Sequence, residues 1–104
     1  YKSGRLHEAI LVWRRGLKLV TDDYDLWFRI GVAQFRLGEL GAAETSYKEA
    51  LRIKPDYVKA LTNLGFLYQQ IYKFENARIV WKKSLDLDPN QEVVKRKLKE
   101  IERK

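Results

Sequence analysis

Residues 24–57, YDLWFRIGVAQFRLGELGAAETSYKEALRIKPDY, and residues 58–91, VKALTNLGFLYQQIYKFENARIVWKKSLDLDPNQ, are two lines of one pattern. Laid one above the other without a gap, they pair Gly31 with Gly65, Ala43 with Ala77, Leu51 with Leu85 and Pro55 with Pro89. Where identity is lost, bulk is kept: Leu40 matches Phe74, Tyr47 matches Trp81 and Ile53 matches Leu87. The register also runs backward, with Leu6, Ala9, Trp13, Leu17 and Leu19 standing 34 residues before Leu40, Ala43, Tyr47, Leu51 and Ile53. Agreement in size at a fixed interval is what a stack of equivalent units requires, because each unit meets its neighbour through the same surface.

Within each line the apolar residues recur at helical spacing. Leu26, Trp27, Ile30, Ala33, Gln34 and Leu37 form one stripe, broken by Gly38. A second stripe, Leu40, Ala43, Tyr47, Ala50, Leu51 and Ile53, ends at Lys54-Pro55. The next line repeats this with Leu61, Leu64, Tyr68 and Ile71, then Phe74, Ala77, Trp81, Leu85 and Leu87 before Asp88-Pro89. Proline has no amide hydrogen for a continuing helix and restricts the residue before it, so both prolines mark stops. The pattern predicts helices over about 5–20, 24–37, 41–54, 58–71, 75–87 and 91–103. No stretch alternates with the period of a strand, and the class is all-α. Gly31 and Gly65 fall inside helices, where glycine costs about 1 kcal/mol relative to alanine. Close approach of a second helix offsets that cost, with Ala43 and Ala77 as the matching small surface and Trp27, Leu61, Tyr47 and Trp81 filling the space around it.

The pattern resembles the tetratricopeptide repeat, whose 34-residue unit runs through a large residue, Leu-Gly, an aromatic, Ala, an aromatic, Ala and Pro. Residues 24–57 carry Trp27, Ile30-Gly31, Ala43, Tyr47, Ala50 and Pro55, and residues 58–91 carry Leu61, Leu64-Gly65, Tyr68, Ala77, Trp81, Ser84 and Pro89. On this resemblance residues 1–104 are one domain: 1–23 the second helix of a partial repeat, 24–57 and 58–91 full repeats, and 92–104 a capping helix. Three departures stand out. Gln34 replaces the aromatic that Tyr68 represents, which is expected to loosen packing or admit water. Tyr72 replaces the turn glycine seen at Gly4 and Gly38, so that turn is expected to differ. Thr21 replaces the proline of the first unit.

The resemblance implies a right-handed helix-turn-helix solenoid whose concave groove, lined by the first helix of each repeat, binds a peptide or helix of another protein without catalysis. Carried onto this chain, the groove residues are Phe28, Arg29, Val32, Phe35 and Arg36 in one repeat and Lys59, Asn63 and Phe66 in the next. Phe28, Val32 and Phe35 also stand off the stripe that Trp27, Ile30 and Gln34 use for packing, and apolar residues outside a packing stripe call for a partner. Packing of these aromatics against neighbouring helices is the competing reading. A groove rimmed by Arg29, Arg36 and Lys59 suits an acidic partner with apolar anchors. One subtype of the family clamps the acidic C-terminal tails of heat-shock chaperones with Lys, Asn and Arg on successive first helices. Here Phe28 and Val32 stand where its Lys and Asn belong, Asn63 matches, Val93 replaces a Lys and Lys97 only approximates the Arg, so the clamp is not expected.

Composition narrows the rest. The 104 residues hold 21 Lys+Arg against 14 Asp+Glu, for a formal charge of +7. Residues 92–104 alone carry six basic and three acidic groups, a pattern that fits a basic helix end as well as a nucleic-acid patch. With no cysteine and one histidine, thiolate chemistry and histidine-rich metal sites are excluded, and His7 reads as a solvated surface residue. No phosphate-binding glycine loop and no catalytic triad is present, so neither an enzyme nor a cofactor is expected. No apolar run approaches the ~20 residues that span a bilayer, and a soluble, cytoplasmic chain is the expectation. The absence of methionine, even at position 1, suggests a segment of a longer protein. The helix over 5–20 then lacks its first-helix partner, which leaves apolar surface near Leu11, Val12 and Leu19 to be covered by more of the array or by another chain. Self-assembly through that incomplete repeat is the alternative function, and RNA binding by the basic surface ranks last.

Overall fold

A computed structural model of the chain describes residues 3–19 and 23–102, with side chains at 4–15 and 23–102. It has six helices: α1 (Ser3–Leu19), α2 (Tyr24–Arg36), α3 (Leu40–Ile53), α4 (Val58–Gln70), α5 (Phe74–Leu87) and α6 (Glu92–Glu102). There is no strand among the described residues. The expected boundaries hold to within a residue or two. The side chains of Leu17 and Leu19, and Thr21 as a whole, lie outside the described residues. The chain divides into two compact units, Tyr1–Pro55 and Asp56–Lys104.

In the first unit α2 packs against both α1 and α3. Asp23 starts α2, its Oδ1 accepting a hydrogen bond from the Leu26 amide at 3.0 Å. Gly38 ends it by turning left-handed, φ +79°, a conformation that glycine adopts without Cβ strain. The amides of Gly38 and Glu39 then reach back to the carbonyls of Phe35 and Gln34 at 3.0 and 2.9 Å. Buried Leu6 and Ile10 of α1 meet Ile30 and Ala33 of α2, with Trp13, Leu26, Trp27 and Leu37 packed around them. On the other side of α2 the glycine explains itself. A Cβ added at Gly31 would lie 2.7 Å from two ring carbons of Tyr47, which is 1% exposed. Gln34 corrects an expectation: it does not loosen the contact. The side chain is 2% exposed, and Ser46 Oγ donates to its Oε1 at 2.6 Å.

The second unit repeats the device and adds a cap, with α5 packed against α4 and α6. A Cβ at Gly65 would overlap the Trp81 indole, and Trp81 Nε1 donates to the Thr62 carbonyl at 3.1 Å. Tyr72 corrects a second expectation, because its turn does not differ. It is left-handed at φ 63°, and the amides of Tyr72 and Lys73 reach Gln69 and Tyr68 at 3.1 and 2.8 Å, the bonds made at Gly38. Its ring stays outside, 80% exposed and edge-on to Phe74 at 6.1 Å. Thr62, Ser84 and Gln91 form a polar cluster: the two hydroxyls lie 2.6 Å apart and Gln91 Nε2 donates to Ser84 Oγ at 3.0 Å. At the matching positions of the preceding repeat stand Phe28, Ala50 and Tyr57. The capping helix α6 buries Val94, Leu98 and Ile101.

Candidate docking site

A cavity of about 360 Å³ opens in the first unit between α1 and α2. Arg5, Leu6, Ala9 and Trp13 form the α1 wall; Phe28, Arg29, Val32, Ala33 and Arg36 form the α2 wall. Four of the five groove residues expected on α2 are therefore together, and Phe35, half-buried on the same helix, is not among the lining residues. Helical spacing accounts for this: positions 28, 29, 32, 33 and 36 share one face of α2. The floor is apolar and the rim carries three guanidinium groups. Arg29 Nε meets Asp25 Oδ2 at 2.9 Å, an exposed i,i+4 pair that leaves the rim positive.

Phe28 is less free than the sequence reading held. Its ring lies 5.9 Å from that of Tyr47 at 38°, so part of it belongs to the α2–α3 contact. In the second unit the other three candidates share one face of α4. Lys59 is exposed and Asn63 half-buried, while Phe66 stands edge-on to Trp81 at 5.3 Å and 70°. Both phenylalanines thus pack against the second helix of their own repeat.

The α1 wall was missed as a site. Ala9 and Trp13 sit in register with Ala43/Tyr47 and Ala77/Trp81, pairs that are essentially unexposed, and so read as core. Both are instead half-buried. The register carried the signal: α1 repeats the surface that α3 turns toward α2. Leu11 and Val12 are 60% and 62% exposed, as expected, and Leu19 lies outside the described side chains.

The remaining candidates stand apart from the cavity. His7 is exposed, with Nε2 3.4 Å from Glu39 Oε2. Among the described residues no group of three or more His, Asp or Glu is placed to hold a metal ion, and no helix is long and apolar enough to cross a membrane. The basic helix end is threaded with carboxylates: Lys95 meets Glu92 at 3.4 Å, Lys97 meets Glu100 at 3.7 Å and Lys82 meets Glu102 at 3.4 Å.

Comparison with known proteins settles the family. Models described as "TPR repeat" and "Tetratricopeptide repeat" match residues 35–71 and 58–91, together more than half of the chain. The chain belongs to the tetratricopeptide repeat family. It is 32% identical over 73 residues to a protein of Pyropia yezoensis, "Uncharacterized protein ycf37", covering 70% of this chain and 41% of that protein. It is 30% identical over 101 residues to Xenopus laevis RNA polymerase II-associated protein 3, covering 97% of this chain and 15% of that protein. The chain thus spans less than half the length of these curated relatives. Among solved structures, the first TPR of Spaghetti (RPAP3) bound to the HSP90 peptide SRMEEVD superposes with a TM-score of 0.90 at 26% identity, over 96% of this chain and 79% of that one. Its fold is that of a tetratricopeptide solenoid.

Proposed function

We propose that this tetratricopeptide chain is a protein–protein interaction module that holds a peptide or helix of another protein on the first-helix face, without catalysis. The observation that carries the reading is the open, apolar, arginine-rimmed cavity on α2, where Val32, Arg29 and Arg36 stand beside the Phe28 ring. Lys59 and Asn63 on α4 offer a second, more polar patch in the other unit, and Phe66 stands beside them. The solved neighbour with its bound peptide supports peptide capture as the mode. The chemistry of this face differs from a carboxylate clamp, since Phe28 and Val32 stand where that clamp would place Lys and Asn. SRMEEVD itself is therefore expected to bind this chain weakly, and an apolar-anchored acidic segment better.

The test is site-specific photo-crosslinking in cell extract. A crosslinker at Val32 should capture discrete partners, and Arg29→Glu should reduce that capture; one at exposed Thr45 on α3 should capture few. Equal capture from Val32 and Thr45 would remove the α2 face as the docking surface.

A further inference from the structure

We propose that Thr62, Ser84 and Gln91 form a conformational latch, a closed ring of hydrogen bonds that locks α4, α5 and the turn between α5 and α6 to one another. The direction of every bond follows from the atoms. Gln91 Nε2 donates to the Asp88 carbonyl at 2.8 Å and to Ser84 Oγ at 3.0 Å, with the Ser84 carbonyl 3.2 Å away. Those acceptors fix which way the amide points. Gln91 Oε1 can only accept, so the 2.8 Å bond from Thr62 Oγ1 uses the single proton of that hydroxyl. Ser84 must then supply the proton of the 2.6 Å bond between the two hydroxyls. The circuit runs from amide to serine to threonine and back to amide, each hydroxyl accepting once and donating once. In such a circuit each bond polarises the next, and losing any member opens the whole.

The three residues come from three places. Thr62 lies on α4, Ser84 is 0% exposed on α5, and Gln91 directly precedes α6. Gln91 Nε2 also answers carbonyls at the end of α5, so one side chain holds the turn at Pro89 to both helices. The repeat pattern does not call for this ring, because Phe28, Ala50 and Tyr57 stand at its positions in the preceding repeat. Its reach extends to the outer side of α4. Trp81 Nε1 donates to the Thr62 carbonyl, and Phe66 stands edge-on to Trp81. A shift of the α5–α6 turn is thereby passed to the face that carries Asn63 and Phe66. The effect on a docked partner rests on the docking reading above; the latch itself does not.

Hydrogen exchange followed by NMR, on the intact chain with no partner present, is the test. Protection is read at the Trp81 indole, bonded to the Thr62 carbonyl, and at the amides of Asp88 and Lys95, bonded to the Ser84 and Gln91 carbonyls. Thr62→Val and Gln91→Leu should each speed exchange there about tenfold. The double variant should add little, because one missing member already opens the ring. The Lys54 amide, bonded to the Ala50 carbonyl at the matching helix end of the first unit, should keep its native rate. Thr62→Ser retains the hydroxyl and should stay close to native. Unchanged exchange in both single variants, equal acceleration at Lys54, or multiplied effects in the double variant would overturn the latch. Crosslinking at Val32 is independent of all three outcomes, so the docking reading stands or falls separately.

Discussion

Gly65 and Trp81 occupy one space: the indole lies where a Cβ at residue 65 would be, with its nitrogen bonded to the Thr62 carbonyl at 3.1 Å. In an isolated helix, alanine at 65 would gain about 1 kcal/mol. Here the fully buried ring must move instead. Gly65→Ala is expected to destabilise the protein by about 2 kcal/mol in urea unfolding, the scale of an overpacked core. Gly31→Ala, facing Tyr47 at 2.7 Å, should cost less.

Gln34 and Ser46 are a matched pair, buried and joined at 2.6 Å, where the next repeat has Tyr68 and Val80. Ser46→Ala should cost about 1–3 kcal/mol, because it strands a buried amide. Gln34→Tyr alone should also destabilise. Combined with Ser46→Val it should recover much of the loss, and a double-mutant cycle measures that coupling. Additive effects would contradict the pairing.

Tyr72 holds a left-handed conformation, φ 63°, that disfavours a side chain with Cβ. Tyr72→Gly should raise the unfolding midpoint by the equivalent of about 1 kcal/mol, net of the exposed contact with Phe74. Tyr72→Val, branched at Cβ, should lower it.

Glu75 accepts hydrogen bonds from Arg78, Nε to Oε2 at 3.0 Å, and these hold its carboxyl below the ordinary 4.5. The folded value is thus below the unfolded one. The pair's contribution to stability is present above the ordinary carboxylate range and fades as pH falls through the lowered folded value. An NMR titration should place the Glu75 midpoint below 4.5 and return it upward in Arg78→Gln; an unmoved midpoint would contradict the assignment.

The repeat was legible because packing between paired helices needs the same sizes at the same places, and Gly31/Gly65, Ala43/Ala77 and Pro55/Pro89 print that need directly. The two departures were misjudged for a shared reason. The residue that accommodates Gln34 lies on another helix, at Ser46, and the bonds that fix Tyr72 are made by backbone. Neither shows in the residue itself. In the site, the α2 face followed from an apolar stripe off the packing stripe. The α1 wall did not, because Trp13 has the chemistry of core, and residue type alone does not say that it stands half-buried. Phe28 and Phe66 were read as groove residues, yet each also meets an aromatic ring on its own second helix.

The alternation of polar and apolar clusters between the two repeats bears on folding fidelity. Helices of one pattern could in principle exchange partners, α2 closing on α5 or α4 on α3. The first exchange would set Gln34 against Val80 and Phe28 near Ser84 and Gln91, leaving buried polar groups unanswered; the second would press Tyr68 onto Ser46. Such mispaired states are penalised by the same contacts that stabilise the correct ones. The differences between the repeats thus act as addresses, directing each first helix to its own second helix.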